Sequence, residues 1–215
     1  MQVPRLSAPC RLARAIAFGL ALRLLCALTV EGADRLPAEG PLLLAANHSS
    51  HLDGPAILAA LPAGLRDRTL VAAADDYFYR DRLWAAAASL LGAFPFVRRG
   101  GPAALRVGLD RTTALLEAGW SVLVFPEGTR SRDGRLAPFR PGAVCVAGRS
   151  GATVVPVAVV GSHLAWPPGC WPRGGAVTVR FGRPWTVPPG AAEPAAASLA
   201  AAVAELAGRR PEVTA

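Results

Sequence analysis

The chain has 215 residues, of which 52% are hydrophobic; this predicts one globular domain with a substantial core and excludes an intrinsically disordered protein. All 23 basic residues are arginine, which excludes a Schiff-base lysine and a P-loop lysine. The net charge of +8 predicts an anionic partner, and we favour lipid or phosphate over nucleic acid because the aromatic residues do not interleave with the arginines. The four cysteines are scattered and lack zinc spacing, which indicates reduced thiols.

Residues 1–35 form an apolar segment punctuated by arginines. Its longest uncharged stretch, Ala15 to Leu22, is far shorter than the ~20 apolar residues that a membrane-spanning helix needs. We interpret the segment as a basic helix that lies in the membrane interface. A docking helix is one alternative, and a secretory signal peptide is another, although Arg23 interrupts its apolar region. The predicted division is a membrane-associating segment, 1–35, and a globular domain, 36–215.

Apolar runs alternate with helical patterns along the rest of the chain. They predict, in order, a first strand 42–46, helix 55–61, strand 70–74, helix 81–91, strand 92–97, helix 102–117, strand 121–125, helix 142–149, strand 153–160, strand 176–181 and helix 198–206 with Ser198 as its N-cap. Strands that alternate with helices predict an α/β layered domain, with a mostly parallel central sheet flanked by helices.

A histidine and a carboxylate lie in the turn after the first predicted strand, in the sequence Asn47-His48-Ser49-Ser50-His51-Leu52-Asp53. Pro55 is tolerated only in the first turn of a helix, so the helix is predicted to begin near Asp53. If His48 lies outside the helix, one ring nitrogen can bond to Asp53 while the other serves as a base. The alternative is structural: Asp53 caps the helix, or forms a capping box with Ser50.

A second polar turn, Glu127-Gly128-Thr129-Arg130, follows the apolar strand that ends near Phe125. Ligands collect beyond the carboxyl ends of strands in open α/β sheets, so both polar turns are predicted to face one site. Gly128 lets the backbone approach a ligand closely, and Arg130 offers a planar fork for phosphate oxygens. A solvated surface ion pair between Glu127 and Arg130 is the alternative.

Four sequence blocks together resemble the glycerolipid acyltransferases of the lysophosphatidate acyltransferase (1-acyl-sn-glycerol-3-phosphate acyltransferase, PlsC-like) family. They occur in the family's order and are 47–53, 92–98, 125–131 and 155–157. The resemblance implies an enzyme of phospholipid biosynthesis that moves a fatty acyl group from an acyl thioester to the sn-2 hydroxyl of lysophosphatidate, giving phosphatidate. The donor would be acyl-CoA or acyl-carrier protein, and no metal or other cofactor is implied.

The resemblance also implies roles for individual residues. His48 would be the catalytic base, and Asp53 would orient it and stabilise the imidazolium. Acceptor binding falls to Arg98, Glu127, Gly128, Thr129 and Arg130, with Arg99 replacing Arg98 if the register differs by one. His51 and His163 are expected to be structural. The expected location is the cytoplasmic face of the cell membrane, on an anionic lipid surface.

Three other functions stay open. The acceptor could be another lysolipid, such as lyso-ornithine lipid. The chain could instead be a non-catalytic protein of the same fold that binds anionic membranes through its arginines. A serine hydrolase acting on lipids would need an exposed nucleophile, usually in Gly-x-Ser-x-Gly, and the sequence has no such pattern.

Overall fold

The computed structural model describes residue 22 and residues 26–74, 92–96, 100–188 and 190–208. The predicted helix 81–91 lies outside these residues. Along the described parts the elements are β1 (Cys26–Glu31), β2 (Leu42–Ala46), α1 (Asp53–Ala60), α2 (Ala63–Asp67), β3 (Thr69–Ala74), β4 (Ala93–Phe96), α3 (Gly101–Glu117), β5 (Ser121–Val124), α4 (Gly142–Ser150), β6 (Thr153–Val160), α5 (Ser162–Ala165), β7 (Gly175–Phe181) and α6 (Ala192–Gly208).

The strands form one sheet in the order β1-β7-β6-β2-β5-β3-β4. Every neighbouring pair is parallel except β6 and β7, which are antiparallel. The prediction of an α/β domain with a mostly parallel sheet between helices is therefore confirmed. β2 lies in the middle of the sheet, and all five of its residues are buried. A strand covered on both faces needs such a continuous apolar run.

Successive residues of β2 face the two layers of the core. Leu42 and Leu44 pack on one side with Ile57 and Leu58 of α1. Leu43 and Ala45 pack on the other side, in a cluster formed with buried side chains of α3, α4 and α6. This alternation follows from the period of two along a strand. The helices on both faces hold the end of β2 in place, and the His48 turn begins there.

Residues 26–31 correct the prediction for the N-terminal segment. They form β1, which pairs in parallel with β7 in a register that aligns Cys26 with Gly175. The helix interpretation is wrong for these six residues, and Leu42–Ala46 is the second strand rather than the first. Periodicity alone does not separate a short strand from a helix in so short an apolar run. Residues 1–21 and 23–25 lie outside the described part, so their interfacial role stays a prediction.

The C-terminal helix begins earlier than predicted. It starts at Ala192, and Ser198 lies inside it, where its hydroxyl donates to the Pro194 carbonyl at 3.0 Å. Ser198 is therefore not the N-cap. Alanine has the highest helix propensity, and proline is tolerated in the first turn, so the Pro/Ala-rich residues continue the helix rather than precede it. Among the described residues, no helix is both long enough and apolar enough to cross a bilayer.

Candidate active site

The two polar turns meet at one edge of the sheet. β2 and β5 are neighbours and run parallel, with Ala45 opposite Val124. The chain segments that leave these strands therefore emerge side by side. The first segment carries His48 and the second carries Glu127, so the predicted juxtaposition of the turns is present in the structure.

His48 and Asp53 form a hydrogen-bonded pair. His48 Nδ1 lies 2.8 Å from Asp53 Oδ2. The Asp53 side chain is 0% exposed, and that of His48 is 21% exposed. An ionised carboxylate only accepts hydrogen bonds, so the proton of the neutral imidazole belongs on Nδ1 and the lone pair on Nε2. The partly exposed ring can then act as a base through Nε2.

The Asp53 carboxylate is held through a single oxygen. Besides His48, Oδ2 accepts hydrogen bonds from the backbone N–H groups of Ser49 at 2.7 Å and Ser50 at 2.8 Å. Oδ1 is buried and has no hydrogen-bond partner among the described residues. Asp53 is the first residue of α1, where the helix dipole favours a negative charge. Asp53 thus orients His48 and also shapes the turn, but it is not the helix cap that the alternative predicted, because Leu52 is the N-cap residue and no side chain caps it.

The second turn fixes the position of His48. Its imidazole stacks on the Phe125 ring, with centroids 3.9 Å apart and planes inclined by 16°. Its backbone N–H donates to Glu127 Oε1 at 2.6 Å, and its carbonyl accepts from the Ser131 N–H at 2.8 Å. The ring plane and the backbone of His48 are therefore both set by residues 125–131.

Glu127 faces backbone groups of two loops in this structure, and its predicted contact with a ligand stays a prediction. The residue is only 4% exposed, and its Oε2 accepts from the Ala137 N–H at 3.0 Å while Oε1 accepts from His48. Burial raises the pKa of Glu127, and the two backbone hydrogen bonds act against that rise. Both oxygens face backbone groups, so the carboxylate joins the two loops instead of pointing outward. The surface ion pair with Arg130 is excluded by the same contacts.

The other residues of the turn are placed differently. Gly128 has φ +76°, and a Cβ there would lie 3.2 Å from Arg140 Nε, so a larger residue would be strained and crowded. Thr129 is exposed, and Arg130 is half-buried. Arg98 and Arg99 lie outside the described residues, so acceptor binding by Arg98 remains a prediction.

Arg130 lies against His51, a residue that we expected to be only structural. The guanidinium Nη1 is 2.8 Å from His51 Nδ1. Burial, together with the charge of Arg130, lowers the pKa of His51 to about 4. At neutral pH the ring is therefore uncharged and tolerates the guanidinium beside it. His51 thus holds a cation at the same edge as the His48–Asp53 pair.

Asn47 shapes the turn through a pairing with β6 that the sequence did not specify. Its Nδ2 donates to the Val159 carbonyl at 3.0 Å, and its Oδ1 accepts from the Val159 N–H at 2.8 Å. The side chain thereby mimics one more pair of the β2–β6 ladder and sets the point where the His48 turn begins. The available signal was an amide residue directly after an apolar strand and directly before the histidine.

A family model described as Acyltransferase matches residues 27–160, which is more than half of the chain. Two curated plant proteins are similar over much of it. LPAT1 of Arabidopsis thaliana, a chloroplastic 1-acyl-sn-glycerol-3-phosphate acyltransferase, is 35% identical over 143 residues, or 66% of this chain and 38% of its own length. BAT2 of Brassica napus, also named a chloroplastic 1-acyl-sn-glycerol-3-phosphate acyltransferase, is 34% identical over 141 residues, or 65% of this chain and 39% of its own length. The chain thus spans about two fifths of the length of these relatives.

A solved structure has the same fold. The crystal structure of PlsC, the 1-acyl-sn-glycerophosphate acyltransferase from Thermotoga maritima, superposes with a TM-score of 0.73 and 24% sequence identity. The alignment covers 95% of this chain and 80% of the other.

Proposed function

This chain belongs to the Acyltransferase family, and we propose that it moves a fatty acyl group from acyl-CoA or acyl-carrier protein to the sn-2 hydroxyl of lysophosphatidate, giving phosphatidate. The observation that carries the proposal is the 2.8 Å contact between His48 Nδ1 and the buried Asp53 carboxylate, beside the Arg130 guanidinium. The relatives named as 1-acyl-sn-glycerol-3-phosphate acyltransferases support the choice of acceptor.

The proposed reaction needs a base and no covalent enzyme intermediate. His48 Nε2 takes the proton of the acceptor hydroxyl while the hydroxyl oxygen attacks the thioester carbonyl carbon. Asp53 stabilises the imidazolium that forms, and such a base contributes roughly 10²–10⁴-fold to the rate. When the tetrahedral intermediate collapses, the C–S bond breaks, the thiolate leaves, and His48 returns the proton to sulfur. Each product, an ester and a free thiol, is then neutral at the reacting atoms.

A labelled acyl-transfer assay tests the proposal. The acceptors are lysophosphatidate and lyso-ornithine lipid, and each is offered with acyl-CoA and with acyl-carrier protein. We expect labelled phosphatidate and one equivalent of free thiol for each acyl group transferred. Thiol release without an acylated lipid would indicate a hydrolase, and faster acylation of lyso-ornithine lipid would indicate a different acceptor.

We assign the acceptor phosphate to Arg130, with Gly128 and Thr129 bordering it and Arg98 as the second predicted cation. Arg130→Ala should raise the KM for lysophosphatidate by about 10- to 100-fold, since a hydrogen bond to a charged group is worth roughly 1.5–3 kcal/mol. The value of kcat should change little because His48 and Asp53 are not altered. Arg132→Ala is the matched control, an exposed arginine two residues away. An unchanged KM in Arg130→Ala would remove this assignment.

Glu127→Gln should lower kcat by on the order of 10- to 100-fold and leave the KM for lysophosphatidate within a few-fold. The amide has one acceptor oxygen for two backbone N–H groups, so the turn that carries His48 shifts, and small misplacements of a base are costly. Steady-state kinetics measures both constants, and the exposed Glu117→Gln is the control. If instead KM rises while kcat is kept, Glu127 contacts the acceptor after all.

We also propose that the protein works on the cytoplasmic face of the cell membrane. A lysophospholipid acceptor resides in a bilayer, and the net charge of +8 favours anionic lipid. The protein should therefore sediment with vesicles that contain phosphatidylglycerol.

A further inference from the structure

We propose that the loop between α5 and β7, together with Leu164, is a lipid-contact surface that dips into the membrane beside the active site. We call residues 164–173 the contact loop. Its sequence is Leu164-Ala165-Trp166-Pro167-Pro168-Gly169-Cys170-Trp171-Pro172-Arg173. The inference goes beyond the predicted N-terminal membrane segment, because it concerns a part of the chain that carries no family motif.

The contact loop exposes two large apolar side chains. Trp171 is 89% exposed and Leu164 is 74% exposed. The two residues lie seven positions apart in one short segment, and exposed apolar patches mark protein or membrane interaction sites. Tryptophan combines an apolar body with a polar N–H, and it is enriched where membrane meets water. The chemistry of these side chains therefore fits a lipid headgroup and acyl boundary.

The contact loop is internally bonded, so it presents Trp171 in a defined place. Trp166 Nε1 donates to the Cys170 carbonyl at 2.8 Å. The Cys170 N–H donates to the Pro167 carbonyl at 3.2 Å, and the Arg173 N–H donates to the Ala165 carbonyl at 2.8 Å. Three prolines further restrict the backbone. These bonds hold the loop in one conformation, in which the Trp171 indole stays exposed.

The contact loop packs directly on the turn that carries the catalytic pair. Ser50 Oγ donates to the Trp166 carbonyl at 2.7 Å, and the Trp166 and His51 rings are 5.4 Å apart. His163 Nδ1 lies 3.3 Å from the Ser49 carbonyl. A membrane touched by Trp171 would therefore lie close to the turn that carries His48 and Asp53.

The charges around the contact loop favour lipid over a second copy of the chain. Residues 128–140, in which Gly134 lies against the His163 ring just before the contact loop, hold four arginines and one acidic residue, and the loop itself ends in an arginine. These cations are Arg130, Arg132, Arg135, Arg140 and Arg173. Each basic group near an anionic membrane surface adds to binding, whereas two copies meeting through this face would bring like charges together.

The N-terminal segment joins the domain at the same place. Cys26, the first residue of β1, pairs with Gly175, two residues beyond the contact loop. β1 therefore begins at the edge of the sheet that carries the contact loop. A single bilayer surface could touch this loop and the predicted interfacial segment. The inference rests on the proposed function in one respect: that function places the acceptor in a bilayer.

The test uses the full chain and the fluorescence of Trp171. Emission of the Trp171→Phe variant is subtracted from that of the parent, which isolates the Trp171 signal. Both proteins are bound to phosphatidylglycerol vesicles with and without brominated acyl chains, which quench indoles in contact with them. We expect the Trp171 signal to shift to shorter wavelength on vesicles and to lose most of its intensity on brominated ones.

The control is Trp120, which precedes β5 and so lies at the opposite edge of the sheet. Its signal, isolated in the same way with Trp120→Phe, should be unchanged by brominated lipid. An unshifted and unquenched Trp171 signal on vesicles that have bound the protein would overturn the inference. So would a concentration-dependent blue shift without vesicles, since that would assign the surface to a second copy. Neither readout involves acyl transfer, so failure of the proposed function is distinguished by the acyl-transfer assay.

Discussion

His48→Ala should lower kcat for acyl transfer by on the order of 10²- to 10⁴-fold, the usual contribution of a positioned general base. The variant should keep its fold, because the His48 backbone bonds to Glu127 and Ser131 do not involve the side chain. The KM for lysophosphatidate should stay within a few-fold, since the proposed phosphate contact belongs to Arg130. The measurement is steady-state acyl transfer, with thermal unfolding to verify the fold.

His163→Gln provides the matched control for the loss of an imidazole at this edge. His163 is half-buried and close to the same turn, with Nδ1 at 3.3 Å from the Ser49 carbonyl. Among the described residues no hydrogen bond joins the His163 ring to Asp53, so His163 is not oriented as a base. The kcat of His163→Gln should therefore remain within a few-fold of the parent value. A His48→Ala variant that acylates at the parent rate would end the assignment of His48 as the base.

Asp53→Asn should lower kcat by up to about 10⁴-fold, which is the cost of the same exchange in a serine-protease triad. The amide oxygen can still accept from Ser49 and Ser50, so the turn keeps its shape while the negative charge opposite the imidazolium is lost. This exchange is preferable to Asp53→Ala, which would leave buried N–H groups without an acceptor at roughly 1–3 kcal/mol each.

Asp110→Asn is the control for the removal of one carboxylate. Asp110 is half exposed and pairs with Arg149 at 2.7 Å on the surface, so its exchange should leave kcat unchanged. Exposed ion pairs of this kind are worth about 0–1 kcal/mol, which keeps the control folded. Parent activity in Asp53→Asn would show that its charge plays no part in the reaction.

The sequence predicted the His48–Asp53 pair because the local signals agree with each other. The apolar run of β2, the position of Pro55 and the spacing of His48 and Asp53 together define a strand, a turn and a helix start. Each of these depends on neighbours within about ten residues, which is the range in which backbone sterics and periodicity act. The strand that precedes Glu127 was equally clear for the same reason.

The inward orientation of Glu127 could not be predicted in the same way. Its carboxylate faces the His48 N–H, 79 residues away in the chain, and the Ala137 N–H, ten residues away. Which backbone groups lack partners becomes defined only when the loops have met, so an acidic residue in a polar turn looks exposed from sequence. The strand β1 could not be predicted for the same reason, because its pairing partner β7 lies about 150 residues further along the chain.

The pairing of β1 with β7 limits how the amino terminus can be shortened. The Arg180 guanidinium is 2% exposed, and its Nε donates to Glu31 Oε2 at 2.9 Å. A chain starting after Glu31 would lose this carboxylate, at a cost of roughly 3–5 kcal/mol for a broken buried ion pair. It would also expose the hydrogen-bonding edge of β7, and an exposed strand edge promotes aggregation. Deletions intended to map a membrane anchor should therefore stop before Cys26, so that a misfolded product is not mistaken for a detached one.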